Sequence, residues 1–182
     1  MKSEIPNIDL VYLWVDGNDP KWQAKRNAFF ESKVENSLSS FNGRYVNNDE
    51  LKYSLRSVER YAPWVRKIFI VTDNQKPKWL NISNPKIQII DQNNLLPHKS
   101  LPCFNSNVLE HFLYKIPHLS EHFILSNDDM FLNKTVLSTT FFTKDGLPII
   151  RLNRKPFRRF RWFLREQIFK KPHKLYSKAL FN

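Results

Sequence analysis

Ile8 to Pro20 reads IDLVYLWVDGNDP. Its first eight residues form a short apolar run, and Asp16-Gly17-Asn18-Asp19-Pro20 ends that run abruptly, so the segment is expected to be a buried strand emptying into a tight turn. Asp19 is suited to cap, and Pro20 to open, a helix reaching about Glu35. A strand followed at once by a helix is the opening unit of an α/β fold.

The rest of the chain repeats that alternation. Asn47 and Glu50 have capping-box spacing, Leu51, Leu55 and Val58 recur at helical intervals, and Ala62-Pro63 stops the pattern, which predicts a helix over about Asn48 to Tyr61. Lys67 to Thr72 (KIFIVT) and Lys86 to Ile90 (KIQII) are predicted strands. Asn107 and Glu110 repeat the capping-box spacing ahead of an apolar face from Val108 to Ile116, closed by Pro117. His122 to Ser126 (HFILS) predicts a fourth strand running into Asn127-Asp128-Asp129. Strands alternating with helices imply a mainly parallel sheet, which binds ligands at the carboxyl ends of its strands. Asp16, Asp73 and the Asp128-Asp129 pair all fall just past such an end.

Composition narrows the function. The chain has 182 residues and 41% hydrophobic content, enough for one core. It has no apolar run approaching the roughly 18 residues of a membrane span, and its first residues lack a signal-peptide pattern, so a cytoplasmic protein is expected. Cys103 is the single cysteine, which excludes an internal disulfide or a multi-cysteine zinc site and reads as a small semi-buried apolar side chain. The five histidines, at 98, 111, 118, 122 and 173, form no familiar ligand pair. Three glycines do not make a glycine-rich phosphate loop, and none of its motifs occurs.

Net charge is +12, and from Arg151 to Asn182 eleven Lys and Arg face one acid, Glu166; ten of the twelve net charges therefore lie there. Aromatic residues (Phe157, Phe160, Trp162, Phe163, Phe169) interleave with the charges. The expected division is a core over 1–150 and a basic, aromatic-rich tail over 151–182, the tail suited to an anionic membrane surface at the inner face of the cell membrane. Charge is the tail's only nucleic-acid signal, and nucleic acid is not an expected partner.

Acidic residues at strand ends suit a divalent cation held against a pyrophosphate, because Mg2+ or Mn2+ takes hard oxygen ligands. From spacing alone, Asn127-Asp128-Asp129 is a solvated turn as readily as a metal site, Glu110 is explained by a helix start, and Asp16-Gly17 by a turn.

Three ordered blocks carry a resemblance that goes further: IDLVYLWVDGNDP from Ile8, NDELKYSLRSVERYAPWVRKIFIVTDNQKPKWL from Asn48 to Leu80, and LPCFNSNVLEHFLYKIPHLSEHFILSNDDMF from Leu101 to Phe131. They resemble the first and second conserved regions of the Stealth family of hexose-1-phosphoryl transferases, over about the first two-thirds of the chain. The resemblance implies a GT-A-like, Rossmann-type α/β fold, a mainly parallel sheet flanked by helices and incomplete on its C-terminal side. It implies an enzyme of capsular or exopolysaccharide synthesis, moving a sugar-1-phosphate from a UDP-hexose or UDP-N-acetylhexosamine to a polysaccharide hydroxyl and releasing a nucleoside monophosphate.

By position, the resemblance makes Glu110 and Asp129 the catalytic acids, with Glu110 on the acceptor side and Asp128 with Asp129 at Mg2+ or Mn2+. Asp16, Gly17, Arg44 and Asp49 become substrate-binding positions, and Asp73, by its place at a strand end, is expected to join them. No counterpart of the family's third and fourth regions follows Leu132. The expectation is therefore a partner chain that supplies them, with a non-catalytic remnant binding nucleotide sugar or anionic membrane as the alternative.

Overall fold

The computed structural model describes residues 6–31 and 46–151; Arg44 and the tail beyond Arg151 lie outside the described residues. Residues 6–31 and 46–149 belong to one compact unit. Its elements are β1 (Ile8–Leu13), α1 (Pro20–Glu31), α2 (Glu50–Tyr61), β2 (Ile68–Thr72), β3 (Ile87–Asp91), α3 (Ser106–Glu110) and β4 (His122–Ser126). The strands form one sheet in the order β3-β2-β1-β4, parallel throughout, with Leu10 opposite Ile68, Ile8 opposite His122 and Ile68 opposite Ile87. The fold is Rossmann-like α/β, as the alternation of elements required.

Period-two alternation sorts β1 and β2 onto two cores. Leu10, Tyr12, Ile68 and Ile70 face α2, where they meet Leu51, Leu55 and Val58. Val11, Phe69 and Val71 face the other side, against Leu95, Leu109, Leu113 and Ile116. A strand covered on both faces has no polar side to show, which is why these segments read as unbroken apolar runs.

One carboxylate sits inside this sheet. Asp9 is fully buried and accepts from Arg66 Nε at 2.9 Å, Arg66 Nη2 at 2.5 Å, the Lys67 amide at 3.1 Å and the Ser120 amide at 2.7 Å. It thereby ties the amino ends of β1, β2 and β4 together, and its hydrogen bond raises the Arg66 guanidinium above its usual range.

Four local expectations are corrected. No capping box forms at Asn47 and Glu50: Asp49 is the cap, in a left-handed conformation with φ 64° and no side-chain cap bond, while Glu50 turns back to accept from the amide and side chain of Asn48. At α3 the cap is Asn105, whose side chain accepts from the Asn107 amide, so Asn107 and Glu110 form no box either. The apolar face from Val108 to Ile116 is not one helix; α3 ends at Glu110 and a separate 3-10 turn covers Leu113–Lys115. β1 also stops at Leu13 rather than Val15.

Candidate active site

The chain leaves β1 on one side of the sheet to reach β2 and β3, while β4 returns to the other side of β1. That reversal opens a crevice beyond the carboxyl ends of β1 and β4, the place where sheets of this type receive ligands. A cleft of about 390 Å3 lies there, its wall formed by Leu13, Trp14, Leu125, Asn127 and Val71, with Glu110, Asp128 and Asp129 on its polar side. The volume falls in the roughly 300–1,000 Å3 range of small-ligand sites.

Glu110 reaches the cleft because α3 is short. As the last residue of that helix it is exposed, and among the described residues its carboxylate takes part in no hydrogen bond or ion pair. The helix-start explanation for this glutamate is removed, since Asn105 holds that position. Asp128 and Asp129 follow β4 directly. Burial pushes the Asp128 carboxyl above the usual carboxylate range, and the charges of Asp129 and Glu50 push it further. Glu50 arrives there as the first residue of α2.

Trp22 and Phe104 supply an aromatic corner of the cleft, ring centroids 5.6 Å apart and edge to face. Cys103 is buried and free, and its carbonyl accepts from Gln92 Nε2 at 3.2 Å; both residues line the cleft.

The other sequence candidates lie elsewhere among the described residues. Asp16 and Gly17 form the turn after β1. Gln75 clamps this turn, accepting from the Asp16 amide at 2.8 Å and donating to the Asp16 carbonyl at 3.0 Å, while the Gly17 carbonyl accepts from Gln23. Asp49 accepts from Trp79 Nε1 at 3.1 Å. Asp73 is almost covered and paired with Lys25 at 2.6 Å. None of these four lines the cleft.

Sequence reading passed over Tyr12 and Ser54. Tyr12 is hidden in the apolar run of β1, and Ser54 interrupts the apolar stripe of α2. Their hydroxyls meet at 2.7 Å, and Ser54 donates to the Met130 carbonyl at 2.6 Å. A serine on a buried helix face was the available signal.

Among the described residues no three His, Cys, Asp or Glu side chains converge as a metal cage. The donor set nonetheless suits a hard cation: two neighbouring carboxylates, one held above its usual range, with no Lys, Arg or His among the described residues of the cleft wall to balance them. Mg2+ and Mn2+ are commonly held by one or two carboxylates, with water and phosphate completing the shell.

A four-stranded parallel sheet with an acidic cleft at its reversal point defines a Rossmann-like α/β protein. Residues 6–32 match Stealth protein conserved region 1 and residues 44–150 match conserved region 2; the chain belongs to the Stealth family. An exopolysaccharide phosphotransferase of Lactiplantibacillus plantarum is 46% identical over 142 residues, 78% of this chain and 41% of the relative. A capsular polysaccharide phosphotransferase of Haemophilus influenzae is 46% identical over 158 residues, 85% of this chain and 43% of the relative. A receptor polysaccharide phosphotransferase of Streptococcus oralis is 46% identical over 143 residues, 78% and 43% of the two chains. The chain spans about two-fifths of the length of these relatives.

Proposed function

We propose that the chain serves in capsular or exopolysaccharide synthesis by moving a sugar-1-phosphate from a nucleotide-sugar donor, a UDP-hexose or UDP-N-acetylhexosamine, to a polysaccharide hydroxyl. The observation that carries this reading is the meeting of Glu110 with Asp128 and Asp129 on one cleft at the reversal point of the sheet. In the reaction the acceptor oxygen bonds to the sugar-bearing phosphorus as the bond from that phosphorus to the bridging oxygen breaks. The hydroxyl proton goes to a base, and a nucleoside monophosphate leaves.

Glu110 is the base in this reading. It is exposed at a helix end, free of competing partners among the described residues, and positioned to accept a proton from a hydroxyl on its side of the cleft. Asp128 and Asp129 would hold Mg2+ or Mn2+. The cation, when bound, neutralises charge on the phosphate oxygens and the leaving group. Trp22 and Phe104 give the donor an apolar surface to lie against.

A second reading, binding without turnover, draws on the missing cations. Phosphoryl transfer needs positive charge around the moving group, and the described cleft wall contains no basic side chain. Such charge would come from parts of the protein outside the described residues or from a partner chain. Among the described residues no helix is long and apolar enough to cross a membrane; attachment of residues 151–182 to anionic lipid is the proposed route to the inner membrane face.

Calorimetric titration of UDP-N-acetylglucosamine with Mg2+ or Mn2+, followed by assay of UMP release with a capsule oligosaccharide, tests both readings. Metal-dependent binding with UMP release supports the transferase. Binding without release supports the second reading. No binding overturns both.

A further inference from the structure

After β4 the chain does not wander off the sheet; it runs along α2. The Met130 carbonyl accepts from Ser54, the Leu132 amide donates to Ser57 Oγ at 3.0 Å, and the Val136 amide donates to the Tyr61 carbonyl at 2.9 Å. Trp64 Nε1 then donates to the Val136 carbonyl at 2.6 Å. Ser54 and Ser57 stand three residues apart on one face of α2, so successive turns of the helix seat successive parts of the segment. The first of these contacts lies directly behind the acidic turn.

That contact has a fixed direction. A carbonyl can only accept, so the single proton of the Ser54 hydroxyl is committed to Met130. The 2.7 Å contact between Ser54 and Tyr12 must then have the phenol as donor. Burial pushes the Tyr12 hydroxyl above its usual value, which keeps it protonated and able to donate. Ser54 is 0% and Tyr12 1% exposed, so solvent cannot replace either hydroxyl cheaply. The chain of donors runs from the end of β1, through the buried face of α2, to the backbone two residues beyond Asp128.

We propose that Tyr12 and Ser54 are positioning residues that hold the turn Asn127–Asp129 in place and so set its affinity for a divalent cation with its diphosphate. The proposal rests on the donor-site reading above. Neither side chain lines the cleft; Ser54 acts through Met130, and Tyr12 through Ser54 and through its β4 neighbour Ser126. The carboxylates repel each other and share no basic partner among the described residues of that wall, so within these residues backbone tethers keep the turn together.

The test uses the full chain with Tyr12→Phe, Ser54→Ala and the double variant, since Tyr12→Phe keeps the ring that packs in the core and removes only the donor. Hydrogen exchange of the Met130 and Leu132 amides reads the tether. Titration of Mn2+ in the presence of UDP-N-acetylglucosamine reads its consequence. The expected result is exchange faster by about tenfold or more at these amides while β1 and β2 keep their protection. Mn2+ affinity should fall by roughly 10- to 100-fold, and the double variant should be no worse than Ser54→Ala alone, because both lesions break one chain.

Unchanged exchange overturns the proposal. Faster exchange with unchanged Mn2+ affinity overturns it as well, leaving a contact that serves only the fold. A wild-type chain that takes up neither Mn2+ nor donor overturns the donor-site reading and the relay's role with it, whereas variants that bind as well as a binding wild type overturn the relay alone.

Discussion

Lys25 Nζ lies 2.6 Å from Asp73 Oδ1, and the aspartate side chain is 1% exposed while the lysine is 39% exposed. This pair fastens α1 to the end of β2, with a second contact to Oδ2 at 2.8 Å. Its two halves are not equivalent. Removing Asp73 leaves an ammonium that can turn to water; removing Lys25 leaves a covered carboxylate. Lys25→Met is therefore expected to cost about 1–3 kcal/mol of stability and Asp73→Asn less, as read from urea unfolding of both variants. Equal costs would contradict the asymmetry.

Asp9 has more to lose. Four donors from two segments converge on it, and Asp9→Ala would leave a guanidinium and two amides without their acceptor. The expected loss is roughly 3–5 kcal/mol, enough to remove much of a domain's stability of about 5–15 kcal/mol. Arg66→Ala, by stranding the buried carboxylate, should be nearly as harmful. A drop below about 1 kcal/mol in equilibrium unfolding of Asp9→Ala would show the network to be dispensable.

Asp128 carries a stability cost that has a pH signature. Its folded carboxyl is raised above its unfolded value, first by burial. The favourable contribution is thus fully present below the unfolded value of about 3.9 and is lost as pH rises through the folded value. At neutral pH the ionised side chain opposes folding. Asp128→Asn should melt higher than the wild type near pH 7, the gain shrinking as pH falls to 4 and below, and it should bind Mn2+ with UDP-N-acetylglucosamine more weakly. Thermal melts at pH 4 and pH 7 decide the first point; a variant less stable at pH 7 contradicts it.

Glu110→Gln separates chemistry from binding. If the carboxylate takes the acceptor's proton, UMP release should fall by about 10²- to 10⁴-fold while donor affinity stays within about twofold of wild type, equivalent to less than roughly 0.5 kcal/mol. Asp129→Ala should instead abolish metal-dependent donor binding. Matching losses of binding in both variants would deny Glu110 a separate role.

The basic tail makes a separable prediction. The full chain should sediment with phosphatidylserine-containing vesicles at low salt, and do so less as ionic strength rises; a form lacking residues 151–182 should not. Equal sedimentation of the two forms removes the tail from membrane attachment.

The strands were legible because parallel strands covered on both faces leave an apolar signature. IDLVYL and IFIVT each read directly as such a run; HFILS is apolar too, although its strand is only partly buried, and its carboxyl end located the acidic turn. The helix starts were less legible, because capping spacing says nothing of backbone hand. Asp49 adopts φ 64°, and that one left-handed residue sends Glu50 back to Asn48 instead of to Asn47. Leu109, Leu113 and Ile116 are buried whether the helix continues or breaks, so their spacing could not reveal the stop at Glu110. That stop is what exposes the glutamate to the cleft. Tyr12 and Ser54 were illegible for another reason: each is an ordinary occupant of its own element, and only the parallel sheet brings their hydroxyls together.

The order β3-β2-β1-β4 places the strand that leads into Asp128 and Asp129 at a margin. Among the described residues nothing extends the ladder beyond β4, and its amino end is met by Gly146, whose carbonyl lies 2.9 Å from His122 Nε2, and by the Phe142 ring, edge to face at 5.2 Å. Parallel ladders hydrogen-bond in both directions, so β4 offers a row of amides and carbonyls to whatever polypeptide comes alongside. A strand added there would grip the acidic turn one residue upstream of its start. The same strand added at β3 would sit four positions across the sheet from β4. Assembly at one border of this sheet would therefore be felt by the carboxylates at once, while assembly at the other would reach them only through the bulk of the fold.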